Sequence, residues 1–197
     1  MNLRFLGDAL DHWKGSLIGS LQDAGILRSL FLDPMASDAT SWRPEDVEVY
    51  ARLLRVDRSQ IVEHRVNLNE RDAYFHEIPS TDDLFLDPDT GIATGAVREP
   101  TRYVTPPEVW RLFQVSENRL LLVYQHVRAQ KVSDRVDKVL AALWHHSGGQ
   151  CGWCSYESAG VAMLFLARQP ERTAALVAHF HQLLGRHGKG RIRDGGA

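Results

Sequence analysis

The chain has 197 residues, of which 44% are hydrophobic and 24% charged, and its formal net charge at pH 7 is −2. This length and composition predict one globular domain with a substantial hydrophobic core. The near-neutral charge excludes a global basic field, so contact with nucleic acid would require a local basic patch. No apolar run is long enough to span a membrane, and the N-terminal residues lack the pattern of a signal peptide. Both features predict a cytoplasmic protein with no membrane partner.

Apolar spacing predicts helices and strands in alternation along the chain. The first four candidates are a helix over residues 6–21, a strand over 27–33, a helix that begins at Pro44 and a weaker strand over 61–66. In chain order we then expect a strand over 84–87, a loop over 88–100, a helix over 106–115, a strand over 119–125, a helix from residue 133, two strands near 153–156 and 161–166, and a helix over 171–184.

The order of these elements indicates the fold. The turn between the last two strands is too short for a parallel crossover, so these strands should pair antiparallel. The sequence therefore predicts an α/β fold, a three-layer sandwich around a Rossmann-like, mostly parallel sheet with an antiparallel hairpin at its C-terminal edge. Residues 1–185 are expected to form this single domain. Residues 186–197 are basic and rich in glycine, which predicts a flexible tail.

The tetrapeptide Phe-Leu-Asp-Pro occurs twice, at residues 31–34 and 85–88. Each copy closes a short apolar run of the kind that forms a buried strand, and proline cannot continue the hydrogen-bond ladder of a sheet. Asp33 and Asp87 should therefore lie at the carboxyl ends of their strands. Ligands of open α/β sheets bind outside those ends, so the two acids predict a site there.

Clustered carboxylates at this edge suggest metal chemistry. Asp33, Asp87 and Asp89 offer the hard oxygen ligands that Mg²⁺ and Mn²⁺ prefer. His126 follows a predicted strand and is a candidate to activate water, and Lys14 is a candidate to stabilise developing charge. The alternative is that Asp87 and Asp89 only cap a turn. The predicted catalytic residues are Asp87, Asp89, His126 and Lys14, and the predicted substrate contacts are Asp8, Asp11, Tyr103, Gln125 and Arg128.

Cys151 and Cys154 have the spacing of redox and zinc motifs, with His145 and His146 nearby. A redox pair of this kind lies at the start of a helix, which lowers the pKa of its thiol. Here the pair follows a glycine-rich turn and precedes strand-forming residues. Two small buried side chains at the start of a strand are therefore favoured over a redox or zinc site.

Two motifs resemble those of a group of bacterial proteins of unassigned function, which open with GDxxDxxKxxL and later carry FLDPDNGL. Asp8, Asp11 and Lys14 match the acidic and basic positions of the first motif, and residues 85–92 match the second, with Thr90 in place of asparagine. The resemblance extends over most of the chain. It implies that these three polar residues of the first helix belong to a functional site rather than to a solvated helix face.

A more distant resemblance is to class I, Rossmann-like methyltransferases that methylate adenine N6 in large-subunit ribosomal RNA. Residues 6–12 are similar to the opening helix of those enzymes, and residues 87–90 stand where they carry a DPPY motif. This resemblance implies the same sheet with a terminal hairpin, and S-adenosylmethionine as a cofactor. The base-stacking aromatic residue is missing at position 90, and no glycine-rich cofactor loop follows the first strand.

These observations predict an enzyme that acts on a nucleotide or nucleic acid. Metal-dependent phosphodiester hydrolysis, with Mg²⁺ or Mn²⁺, ranks slightly above methyl transfer from S-adenosylmethionine, because clustered acids with a histidine and a lysine suit phosphoryl chemistry. A third interpretation is a non-catalytic module that binds a nucleotide or takes part in an assembly.

Overall fold

The computed structural model describes residues 1–36, 42–80, 83–148, 151–185 and 191–195. In this part of the chain the helices are α1 (Ala9–Asp23), α2 (Pro44–Leu54), α3 (Arg71–His76), α4 (Pro106–Gln114), α5 (Val132–Ser147) and α6 (Pro170–Leu184). The strands are β1 (Leu30–Asp33), β2 (Asp83–Leu86), β3 (Gly91–Ile92), β4 (Tyr103–Val104), β5 (Leu120–His126), β6 (Gly152–Ser158), β7 (Val161–Ala167) and β8 (Ile192–Gly195).

Six of the strands form one sheet in the order β1-β2-β5-β7-β6-β8. Strands β1, β2 and β5 are parallel, β7 is antiparallel to both β5 and β6, and β8 is antiparallel to β6. Four of the six strands (β1, β2, β5 and β6) therefore point in the same direction. This sheet confirms the predicted α/β class, and β6 and β7 form the expected hairpin.

Helices cover both faces of the sheet. Side chains of α1, α2 and α6 pack in one hydrophobic cluster with Phe85 and Leu122, and those of α3, α4 and α5 pack in a second cluster with Leu84 and Leu121. Neighbouring residues of a strand point to opposite faces, so each strand feeds both clusters. The three-layer sandwich is thereby confirmed.

Two local features fix α1 beside the sheet edge. The Oδ1 atom of Asp8 accepts hydrogen bonds from the backbone N–H groups of Leu10 (2.8 Å) and Asp11 (3.1 Å), which satisfies donors at the start of the helix. Gly15 lets α1 approach α2 closely, since a Cβ atom there would lie 2.1 Å from the carbonyl oxygen of Leu53. The helix can then place its polar residues at the carboxyl ends of the strands.

Some predicted elements are wrong. Residues 61–66 form no strand, because only Ile61 bridges to Leu32 of β1. The loop predicted over 88–100 contains β3, which pairs with β4 in a separate two-stranded sheet. The periodicity also did not indicate α3.

Part of the predicted tail is ordered. Residues 192–195 form the edge strand β8, where Arg193 makes ion pairs with Asp137 and Glu157. The rest of the tail prediction, for residues 186–190 and 196–197, lies outside the described residues. None of the helices in the described ranges is long and apolar enough to cross a membrane.

Candidate functional site

The two Phe-Leu-Asp-Pro segments lie side by side, but they are not aligned. In the pairing of β1 with β2, Asp33 lies opposite Leu86 rather than opposite Asp87. Because a shift of one residue moves a side chain to the other face of a sheet, the two carboxylates project in opposite directions. Asp33 faces Tyr74 of α3, and Asp87 faces α1 and α2.

Asp87 belongs to a buried network of charges and hydroxyl groups. Its Oδ2 atom accepts hydrogen bonds from Nζ of Lys14 at 2.8 Å and from the hydroxyl of Tyr50 at 3.0 Å. The same ammonium group donates to Oδ1 of Asp11 at 3.0 Å and lies 4.4 Å from the ring centroid of Tyr124. All five side chains are buried. One cation is thus shared between two carboxylates.

Burial and charge set the protonation states in this network. Burial alone would lower the pKa of Lys14, but Asp87 and Asp11 together raise that pKa above its ordinary value. Burial raises the pKa of Asp11, and Lys14 opposes the rise. Lys14 therefore carries its charge at neutral pH, held in place by its two partners.

A cavity of about 160 Å³ opens above this network. Its wall includes the exposed side chain of Phe5 and the buried ring of Tyr124. Phe5 is 60% exposed, which is unusual for an aromatic side chain. The cavity brings together seven of the ten residues predicted from the sequence, namely Asp8, Asp11, Lys14, Asp87, Asp89, His126 and Arg128.

His126 ends β5 and is partly buried at the cavity wall. Its Nδ1 atom lies 3.2 Å from the hydroxyl oxygen of Tyr124. Burial, together with the nearby Arg128, lowers the pKa of the imidazole below its ordinary value. The ring is therefore neutral at pH 7, with one nitrogen able to donate a hydrogen bond and the other able to accept one.

Asp89 lies at the rim rather than in the buried network. Its Oδ2 atom pairs with Nε of Arg102 at 2.5 Å, and Arg102 also contacts Glu99 at 3.2 Å. A second cavity, of about 390 Å³, adjoins the first on this side and shares His126 and Arg128 with it. Tyr103, a predicted substrate contact, lines this second cavity.

Gln125 holds a loop in place, so its interpretation as a substrate contact is wrong. Its side chain accepts from the N–H of Ile92 at 2.9 Å and donates to the carbonyl oxygen of Thr90 at 3.0 Å. Gly91 lies between these residues with a φ of +121°, and a Cβ atom there would lie 2.1 Å from Nε2 of Gln125. The amide is buried and fully engaged in fixing the chain after β2.

Asp33 lies outside both cavities. Its Oδ1 atom accepts hydrogen bonds from the N–H of Met35 at 2.8 Å and from the hydroxyl of Tyr74, whereas Oδ2 has no hydrogen-bond partner in the described part of the chain. Burial raises the pKa of this carboxyl group to about 6.

The residues do not fit the predicted metal site. Asp33 points away from the cavity, Asp87 is engaged by Lys14 and Tyr50, and Asp89 is paired with Arg102. Within the described ranges, no three His, Cys, Asp or Glu side chains lie close enough together to hold a metal ion. The ligand set predicted for Mg²⁺ or Mn²⁺ is therefore not assembled.

Cys151 and Cys154 are both buried and unpaired. Burial raises the pKa of the Cys151 thiol to about 11 and that of Cys154 to about 12. Thiols in this state are poor nucleophiles at neutral pH. The structure supports the interpretation of these residues as packing groups at the start of β6.

Several residues of the site were not predicted. Tyr124 and His126 share one face of β5 because side chains alternate along a strand, and this alternation could have selected Tyr124 in place of Gln125. Tyr50 lies on the buried face of α2 among apolar residues, so a hydrophobic pattern does not single out its hydroxyl group. Phe5 precedes the first predicted helix and carries no periodic signal.

Searches with known proteins give no further indication of function. No protein-family model matches the chain, and no curated protein gives a significant match. The chemistry of the cavities is therefore the basis for assigning a function.

Proposed function

We propose that the protein binds a nucleotide, with the base in the smaller cavity above the Lys14–Asp87 ion pair. The observation that carries this proposal is the combination of size and wall chemistry. An engineered apolar cavity of about 150 Å³ accepts one benzene ring, and this cavity has about 160 Å³ with an open mouth. Aromatic, carboxylate and imidazole groups surround it, which suits a flat ring with polar edges.

Phe5 supplies the apolar surface for such a ring. Its side chain is 60% exposed beside the cavity mouth, so it packs against little of the protein itself. Stacking of a base on an exposed aromatic side chain contributes about 1–3 kcal/mol and tolerates different bases. This surface supports binding of a base.

Asp8 and His126 supply polar contacts for the edge of the base. The Oδ1 atom of Asp8 is used in capping α1, and Oδ2 has no hydrogen bond among the described residues, so it can accept from a ring or amino N–H. The neutral imidazole of His126, also on the cavity wall, offers one donor or acceptor. Hydrogen bonds to Asp8 and His126 can therefore orient a base that carries no net charge.

Lys14 acts beneath the ligand. Lys14 is 4% exposed and two of its three N–H donors are taken by carboxylates, so it offers a ligand at most one donor from a buried position. We assign Lys14 as a positioning residue, which holds α1 and its Asp8 against the end of β2. The sequence had suggested a direct catalytic part for it.

Methyl transfer from S-adenosylmethionine is the second candidate, and the fold supports it. Strand β7 lies antiparallel between β5 and β6, and Asp87 and Pro88 follow β2 at the edge where the ligand would bind. This arrangement agrees with what the resemblance to adenine-N6 methyltransferases implies. Metal-dependent hydrolysis stays a prediction of the sequence, since the predicted metal ligands do not lie together in the described part of the chain.

The proposal is tested by isothermal titration calorimetry. Adenosine, guanosine, cytidine and uridine monophosphates and S-adenosylmethionine are each titrated into the wild type, Phe5→Ala, Asp8→Asn and the control Leu68→Ala. Leu68 is 52% exposed and lines neither cavity, so it matches Phe5 as an exposed apolar side chain.

We expect at least one nucleotide to bind, and Phe5→Ala to weaken it about tenfold while Leu68→Ala leaves the affinity unchanged. Binding of S-adenosylmethionine alone would favour the methyltransferase. Binding of no compound, or equal effects of Phe5→Ala and Leu68→Ala, would contradict the proposal.

A further inference from the structure

We infer that the second cavity is a binding site for two phosphate groups, contiguous with the base site. This inference extends the proposed nucleotide binding to the charged half of the ligand. Four arginines lie on the wall of the cavity, Arg98, Arg102, Arg128 and Arg135, and one acid, Glu99. With a volume of about 390 Å³, the cavity is large enough for a phosphate pair with its water.

Most of the positive charge in this cavity is uncompensated. Arg102 is neutralised by its ion pairs with Asp89 and Glu99. Arg98 and Arg128 make no ion pair with any residue in the described ranges, and both are exposed. Two guanidinium groups therefore face the cavity with solvent as their partner.

Arg135 adds a third uncompensated charge from the first turn of α5. Its guanidinium donates to Oγ1 of Thr94 at 2.8 Å and to the carbonyl oxygen of Ile92 at 2.6 Å, both of which are neutral acceptors. Burial lowers the pKa of Arg135, and no carboxylate in the described part of the chain pairs with it to offset the loss of hydration. A partly buried cation without a counter-ion stabilises an anion that enters the cavity.

The chemistry of these groups selects phosphate. A guanidinium presents a planar fork of N–H donors that matches two phosphate oxygens at once, and such charge-assisted bonds are stronger than neutral ones. Three uncompensated arginines balance the charge of two linked phosphates. Because His126 and Arg128 belong to both cavities, one ligand can place its base in the first and its phosphates in the second.

Inorganic pyrophosphate tests the site without relying on the base. It is titrated by calorimetry into the wild type, Arg98→Gln/Arg128→Gln, Arg135→Gln and the control Arg168→Gln. Arg168 is exposed on the chain between β7 and α6 and lines neither cavity. The double variant changes exposed side chains only, so its fold should be preserved even if Arg135→Gln disturbs the loop that holds Thr94.

We expect the double variant to bind pyrophosphate at least tenfold more weakly than the wild type, and Arg168→Gln to bind as the wild type does. Wild-type affinity should fall as the salt concentration rises. Absence of pyrophosphate binding, or equal affinity in the double variant and the control, would overturn the inference. Pyrophosphate binding with no binding of any mononucleotide would sustain this site and refute the base site.

The two sources of paired phosphates are separated in the same experiment. A nucleoside diphosphate carries them on one nucleotide, whereas a trinucleotide carries them on successive backbone positions. Each ligand should bind Arg98→Gln/Arg128→Gln more weakly than the wild type. The ligand that binds the wild type more tightly identifies the source of the phosphates. If neither loses affinity in the double variant, the cavity does not bind the phosphates of a nucleotide and the inference fails.

Discussion

The two strand ends with the sequence Phe-Leu-Asp-Pro place the same acid in different electrostatic environments. Asp87 shares a buried cation with Asp11 and accepts a hydroxyl hydrogen bond from Tyr50. Asp33 accepts from Tyr74 and from one backbone N–H, forms no ion pair with any described residue, and leaves Oδ2 without a partner. One strand end thus carries a network of ion pairs, and the other carries a buried carboxyl group without an ion pair among the described residues.

The difference arises from a shift of one residue between β1 and β2. Asp33 turns toward α3, which closes that side of the sheet edge with aromatic side chains. Asp87 turns toward α1, whose first two turns carry Asp8, Asp11 and Lys14. A strand end with an acid therefore becomes a site only where the covering helix brings polar partners and leaves an opening.

The largest effect is expected where the shared cation is removed. Lys14→Met leaves Asp11 and Asp87 as two buried carboxylates with no cation between them. Breaking a buried ion pair in this way costs about 3–5 kcal/mol of the free energy of unfolding. Urea denaturation at pH 7 measures this cost. Lys138→Met is the control, since that lysine is exposed and donates a hydrogen bond to the neutral side chain of Gln130. Equal losses in the two variants would contradict a buried network.

A pH-dependent effect is expected at the other strand end. The carboxyl group of Asp33 has a folded-state pKa of about 6 against an ordinary value of 3.8. Between these values the folded protein binds more protons than the unfolded chain, so the contribution of Asp33 to stability falls as pH rises from about 4 to 6. The loss is on the order of 3 kcal/mol, and it is complete above pH 6.

Asp33→Asn removes this titration, because the amide stays neutral. The free energy of unfolding of the variant, relative to the wild type, should therefore rise between pH 4 and pH 7. Urea denaturation across this range measures the difference, and Asp72→Asn, at a side chain 91% exposed, is the control. Parallel curves for wild type and Asp33→Asn would contradict the raised pKa.

A matched pair of tyrosine variants sharpens the same contrast. Tyr50→Phe removes one donor from Asp87, which keeps Lys14, and should cost about 1 kcal/mol at pH 7. Tyr74→Phe leaves Asp33 with the N–H of Met35 alone and should cost about 2 kcal/mol at pH 7, where the carboxyl group is ionised. A larger cost for Tyr50→Phe would reverse the assignment of the two environments.

The part of the fold that follows from periodicity was predictable from the sequence. Proline at position 44 and the capping pattern of Thr105 and Glu108 give helix starts that the structure has at those positions. The short turn between the last two predicted strands indicated their antiparallel pairing, which β6 and β7 have in the structure. By contrast, α3 is six residues long and too short for a helical period, and β8 is held by the ion pairs of Arg193, which no local pattern indicates.

The location of the site was predictable from the sequence, because the carboxyl ends of parallel strands meet at one edge of the sheet. Asp87, His126 and the polar residues of α1 were correctly brought together, since the carboxyl ends of parallel strands share that edge. The register between strands is a tertiary property, so the sequence could not tell that Asp33 faces away. Gln125 was misassigned because side chains alternate along a strand, so it faces away from His126. Its hydrogen-bond partners lie at and just before β3, 33–35 residues earlier in the chain.

The smallest effect is expected at Asp89, two residues beyond Asp87 on the same chain segment. Its ion pair with Arg102 lies at the rim, where the two side chains are 11% and 30% exposed. Asp89→Asn should therefore cost at most about 1 kcal/mol in dilute buffer. Urea denaturation in 1 M NaCl should reduce this cost to nearly zero, because screening at that salt concentration acts over about 3 Å.

Asp87→Asn provides the comparison for Asp89→Asn. Dissolved ions screen buried charges only weakly. The loss of unfolding free energy in Asp87→Asn should therefore be nearly the same at low and high salt. An equal salt dependence of the two variants would mean that water reaches Lys14 and Asp87. The ammonium would then be solvated, and Lys14 would change from a residue that positions α1 to one that contacts the bound nucleotide.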